Sequence, residues 1–114
     1  MDNLVQVESD PRAQLVRAPR DLDILWAEYM EGIGTNKAAR SFTQAERGRV
    51  KHKFCRRKVF WGLIARFVNS GVNHQVAIDR VYAAYGQGLS VSAILRRLKA
   101  DIRNGELPQS LQIG

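Results

Sequence analysis

Seven of the twelve residues from Arg47 to Lys58 are basic: Arg47, Arg49, Lys51, Lys53, Arg56, Arg57 and Lys58. No Asp or Glu occurs between Glu46 and Asp79 to offset them. Like charge at this density repels itself and destabilises a compact chain unless an anion lies opposite. The chemistry on offer is electrostatic, with ammonium and guanidinium groups spaced to pair with successive phosphates of a polyanion. Apolar Val50, Phe54 and Cys55 stand among the cations, which points to a folded amphipathic segment and not a solvated tail.

Other chemistries find little support. His52 and Cys55 lie at i, i+3, but His74 is far along the chain, and zinc needs a compact set of four ligands. The eleven carboxylates are scattered, none at acid–base or nucleophile spacing from a His. No glycine-rich loop precedes a Lys-Ser or Lys-Thr pair, so no phosphate cradle is written here. The expectation is a protein that is not an enzyme and uses neither metal nor cofactor.

Four main helices can carry these residues, an all-α fold with no convincing strand. The first runs from about Asp21 to Glu31, with Leu22, Leu25, Trp26 and Tyr29 on one face and Gly32 as its stop. A turn or two around Ala38 and Ala39 follows. Thr43-Gln44-Ala45-Glu46 is a capping box that opens a long basic central helix reaching Ser70-Gly71. At about 1.5 Å per residue this rod would be roughly 40 Å long. Val50, Phe54, Trp61, Ile64 and Val68 give it an apolar stripe, and Phe60, Leu63 and Phe67 a second side. On its wheel Arg47, Lys51 and Lys58 share one side, Arg49, Lys53 and Arg56 another, and Arg57 lies near the stripe.

Asn73 caps a third helix with Ile78, Val81, Tyr82 and Tyr85 inward, ended by Gly86. Ser90 caps a fourth, with Val91, Ile94, Leu95, Leu98 and Ile102 inward and Arg96, Arg97, Lys99 and Arg103 outward. A helix, a glycine turn and a Ser-capped basic helix outline a helix-turn-helix at the C-terminal end, although the turn is long for that motif. Residues 1–20, with Pro11 and Pro19, read as a flexible arm or a loosely docked extension, 21–104 as the helical domain, and 105–114 as a tail whose Leu107, Leu111 and Ile113 can pack on the body. Trp26, Tyr29, Trp61, Tyr82 and Tyr85 sit on apolar stripes and read as core.

At 114 residues the chain fits one small domain. Its net charge is +7 and its pI about 10.2. A pI above about 9 with clustered Lys and Arg is the usual footprint of a nucleic-acid binder. A lone Cys55 excludes an internal disulfide, no signal peptide opens the chain, and no apolar run is long enough for a membrane. The expected setting is soluble and intracellular. The 51–58 cluster also has the look of a nuclear-localisation signal.

Leu25-Trp26-Ala27-Glu28-Tyr29-Met30-Glu31-Gly32-Ile33, followed by Phe54-Cys55-Arg56-Arg57-Lys58-Val59-Phe60-Trp61, resembles a known pattern. It is similar to the C-terminal DNA-binding domain of fungal transcriptional activators of glycolytic enzymes, also found in Crypton-type mobile elements and a yeast centromere-binding protein. The resemblance covers roughly residues 22–68. It implies binding to double-stranded DNA in a nucleus, with Arg56, Arg57 and Lys58 at or beside the DNA and Trp26, Tyr29 and Phe54 in the supporting core. Between the two motifs Phe42–Gly48 replaces the family's Trp-Arg pair, and the pattern offers no template for the third and fourth helices.

Double-stranded DNA is therefore the expected partner, in a transcription-factor-like or mobile-element role. Arg47, Arg49, Lys51, Lys53 and Lys58 are expected on phosphates, Arg56, Arg57, Arg96 and Arg97 at bases or grooves, and Lys99 beside them. The alternative from another class is a protein-interaction module that docks an acidic partner or forms a homodimer. RNA is a third, disfavoured because the aromatic residues lie on core stripes.

Overall fold

The computed structural model describes residues 10–86 and 88–113. Among them the fold is all-α, with five helices: α1 (Leu22–Met30), α2 (Gln44–Arg49), α3 (Lys51–Asn69), α4 (His74–Tyr85) and α5 (Val91–Asn104). Single 3-10 turns at Ala39–Ser41 and Gln109–Leu111 complete it. The 19-residue α3 is the axis of the domain, and α1, α2, α4 and α5 all pack on it. Consecutive α4 and α5 each rest more on α3 than on one another.

The helix starts follow from their caps. Asp21, Asn73 and Ser90 accept hydrogen bonds from the N–H groups of Ile24, Gln75 and Ala93, and each removes an orphan donor. Gly32 ends α1 at φ +85°, and a Cβ there would run into the backbone of Asn36 and Lys37. Only glycine fits that turn. Gly105 closes α5 in the left-handed region, at φ +71°.

The single 40 Å rod is not formed. The Thr43–Glu46 capping box is present, but the chain leaves helical geometry at Val50 (φ −117°, ψ 33°), so a six-residue helix precedes α3. Gly48 and the β-branched Val50 weaken the ladder at that point. Glu46 also tethers α2 sideways: it takes Lys37 Nζ at 2.7 Å and the N–H of Asp10 at 3.0 Å. A straight continuation could not satisfy that tether while α3 buries Phe60, Trp61, Leu63, Ile64 and Phe67. Val68, read as part of the stripe, is exposed, and so is Ile102, expected on the inner face of α5.

The N-terminal arm also needs correction. Residues 1–9 lie outside the described residues, but 10–20 are docked, with Ala13 and Leu15 buried in the core. The Arg12 carbonyl accepts from the N–H of Lys37, and Val16 is held by two buried side chains described below. Prolines and sparse apolar residues made the segment look loose, whereas long-range polar contacts fix it. Leu111 is fully buried, and Leu107 and Ile113 pack on the core, as expected of the tail.

The tether makes acid stability testable. Lys37, then the N–H groups of Thr43 and Asp10, hold the Glu46 carboxyl at about 2, well below its ordinary 4.5. Hydrogen bonds from Arg12 hold Asp10 at about 2, below 3.8. A depressed carboxyl contributes stability above its unfolded value and loses it as pH falls through its folded one. Melting temperature followed by circular dichroism should therefore drop as pH falls from about 4.5 to 2. Glu46→Gln should melt lower at neutral pH and show a shallower drop across that window.

Candidate nucleic-acid interface

The basic run is divided by the fold. Arg57 is only 4% exposed and faces the core. Its Nη1 reaches both carboxylate oxygens of Glu28, at 2.8 and 3.0 Å, and its Nη2 donates to the carbonyl of Val16 at 2.6 Å. Glu28 in turn accepts the N–H of Val16. The Arg57 guanidinium is spent inside the protein, so its expected place at bases or grooves is overturned. The reason is geometric: Arg57 lies on the buried side of α3, and α1 brings Glu28 to neutralise it there.

The remaining cations divide between two flanks. Arg56 points outward and meets α5, where it lines a cleft of about 520 Å³ with Ser92, Leu95, Arg96, Lys99 and Arg103. The spacing Ser92, Arg96, Lys99, Arg103 places these side chains on one stripe of α5. No carboxylate lines the cleft. Asp101, the one acid in α5, instead accepts the Tyr85 hydroxyl at 2.7 Å. Burial first, and then Asp101, push the Tyr85 hydroxyl well above its ordinary range. Arg97 lies on that flank, close enough to Tyr85 to act on it, and does not line the cleft.

On the other flank Arg47 and Lys58 come together with Arg40 around a smaller hollow whose wall includes Phe54 and Trp61. The Arg47 guanidinium lies 5.9 Å from the Phe54 ring centre. The helical wheel anticipated this pairing of Arg47 with Lys58, although α2 and α3 are separate helices. Arg49 and Lys51 are exposed and Lys53 is half-buried near the start of α3. Among the described residues no ion pair is formed by Arg47, Lys51, Lys53, Arg56, Lys58, Arg96 or Lys99.

Two cations were missed as site residues. Arg103 completes the cleft and was legible as the next step of the Arg96–Lys99 stripe. Arg40 reaches its hollow only because its Nε donates to the carbonyl of Met30, a contact no local pattern announces. The aromatic residues behave as core: Trp61 is 1% exposed, donates Nε1–H to the carbonyl of Leu25 at 2.8 Å, and stacks on Tyr29. Cys55 is a half-buried free thiol, and no group of three or more metal-ligating side chains occurs among the described residues.

No family model, curated protein or solved structure matches the chain. The resemblance to the fungal activator domain rests on its residues alone. Of those residues, Trp26 is buried and Phe54 packs against the core, and Arg57 joins the two motifs internally through Glu28.

Breaking a buried pair leaves a desolvated charge without its partner, which costs about 3–5 kcal/mol. Arg57→Ala should therefore lower the unfolding free energy in urea by that amount. Arg56→Ala, one position earlier on the exposed face, should stay within about 0.5 kcal/mol of the parent.

Proposed function

We propose that the chain is a double-stranded DNA-binding domain that meets the duplex with α5 and the adjoining edge of α3. The observation that carries this reading is the convergence of Arg56, Arg96, Lys99 and Arg103 on one cleft without a carboxylate. Two helices supply the cations, so they are held at fixed separations, as phosphates on a duplex require. In this reading α4, the Gly86–Ser90 connection and α5 act as a helix-turn-helix, with α5 the helix that enters the groove. Lys99 and Arg103 take phosphates, and Lys53 adds one further along α3. Arg56 and Arg96 are placed to reach a groove edge, where a guanidinium pairs with guanine through two hydrogen bonds. Such a domain serves transcription or a mobile element and works in a nucleus.

Duplex binding should be measured by fluorescence anisotropy across several salt concentrations, with single-stranded DNA and duplex RNA as comparisons. Neutralising the three phosphates taken by Lys53, Lys99 and Arg103 gives a log–log salt slope of about −2.7. The doubly substituted Arg56→Ala, Arg96→Ala chain should bind its duplex more weakly by over about 2 kcal/mol, at about 1–3 kcal/mol per Arg–guanine pair. Its melting curve should match the parent, since both side chains are exposed. Equal affinity for the parent and this variant would remove the cleft from the interface.

A further inference from the structure

Gly62 stands in the interior of α3, where glycine is the poorest helix former after proline. Nothing in the fold asks for it. Its φ is not positive, and an added Cβ would meet no atom within 4 Å. What the absent side chain does is open a passage. On one side of Gly62 lies the hollow of about 220 Å³ lined by Arg40, Arg47, Phe54 and Trp61. On the other lies a hollow of about 410 Å³ lined by Val59, Leu63, Arg66, Ile102 and Leu107. Lys58 and Gly62 line both, so the two hollows adjoin at Gly62, and together they are treated as one trough along α3. Any larger residue at 62 would raise a ridge between them.

We propose that this trough is a docking site for an acidic, amphipathic helical segment of a partner protein. The floor is apolar and ends at Ile102, which is 44% exposed although it continues the apolar stripe of α5. The rim is cationic, with Arg40, Arg47, Lys58 and Arg66, and no carboxylate lines either hollow. Phosphates would be served by the rim but not by the apolar side chains beneath it, whereas an apolar ligand would leave four cations unmatched. A helix with Leu or Phe at i, i+3, i+4 and i+7 and Asp or Glu flanking that stripe satisfies both. The trough shares none of the four cations of the α5 cleft, so partner and duplex can be held together.

The probe is a fluorescein-labelled peptide of about 20 residues with that pattern, titrated into the full chain. A control peptide keeps every acidic residue and replaces Leu and Phe by Ser. Gly62→Gln fills the saddle with a better helix former, and Ile102→Gln removes the exposed apolar end. The control should bind at least about tenfold more weakly, and each variant should lose at least about fivefold in affinity for the patterned peptide. Duplex affinity should stay at the parent's value, and neither variant should melt more than about a degree lower, Gly62→Gln melting if anything higher. Equal binding of the two peptides would overturn the proposal, since charge alone would then explain it. Unchanged peptide affinity in both variants would also overturn it, as would displacement of the peptide by duplex DNA. A concentration-dependent dimer in light scattering that Gly62→Gln abolishes would assign the trough to a second copy of this chain instead. The comparisons between peptides and between variants do not require that the chain bind DNA, so failure there leaves this test intact.

Discussion

Three segments of this domain meet at one buried charge pair. Glu28 comes from α1, Arg57 from α3, and the backbone of Val16 from the N-terminal segment. Both guanidinium Nη groups and both carboxylate oxygens are engaged, and no buried side-chain nitrogen or oxygen is left unsatisfied among the described residues. That completeness matters more than the attraction itself, because desolvating two charges offsets most of what their pairing returns. The constraint is one of position: α1 can sit on α3 only where its carboxylate reaches the guanidinium. The Trp61 indole, bonded to the carbonyl of Leu25, repeats the same registration one turn further along α3. Tyr29 and Phe54 then close around that indole.

Glu46 is a second buried carboxylate with a similar duty. It closes its own helix cap, pairs with Lys37 and takes the N–H of Asp10. Residues 10–20 are thus stitched down at three points, Asp10, Arg12 and Val16, with Ala13 and Leu15 buried between them. A segment with few large side chains is ordered by its backbone, whose donors and acceptors are matched to two carboxylates and a guanidinium. This arrangement also removes two acids from the surface. Each acid takes a cation with it, Arg57 for Glu28 and Lys37 for Glu46, so the net charge left outside is unchanged.

The charge that remains outside is organised by the angle between helices. Cations two positions apart on α3 cannot share a face, so Arg56 and Lys58 look in nearly opposite directions. The cleft with α5 collects Arg56, Arg96, Lys99 and Arg103, while Arg40, Arg47, Lys58 and Arg66 collect around Gly62. Each set draws on at least two helices or a turn, which gives it a fixed shape that a lone basic helix would lack. Four of the seven residues that line the first are cations. The other adds an apolar floor, and with it a different kind of ligand.

Local patterns carried much of the fold. Asp21, Thr43, Asn73 and Ser90 announced their helix starts because capping is a contact within four residues. The apolar stripes of α1, α4 and α5 announced their inner faces, since a helix period needs no knowledge of its neighbours. The same periodicity failed where long-range contacts compete: at Val50, which yields to the Glu46 tether, and at Ile102, which the stripe points inward and the packing leaves exposed. Arg57 is the sharpest case. Its type matches Arg56 and the wheel put it only near the apolar stripe; the arrival of Glu28 from 29 residues away is what makes a guanidinium tenable inside. Sequence alone determined the helical class, the basic character and the candidate cations, all of which are local or additive properties. Which cations face the same way, and which are spent inside, was decided by the packing of α1 and α5 on α3, because burial and pairing are properties of neighbours in space.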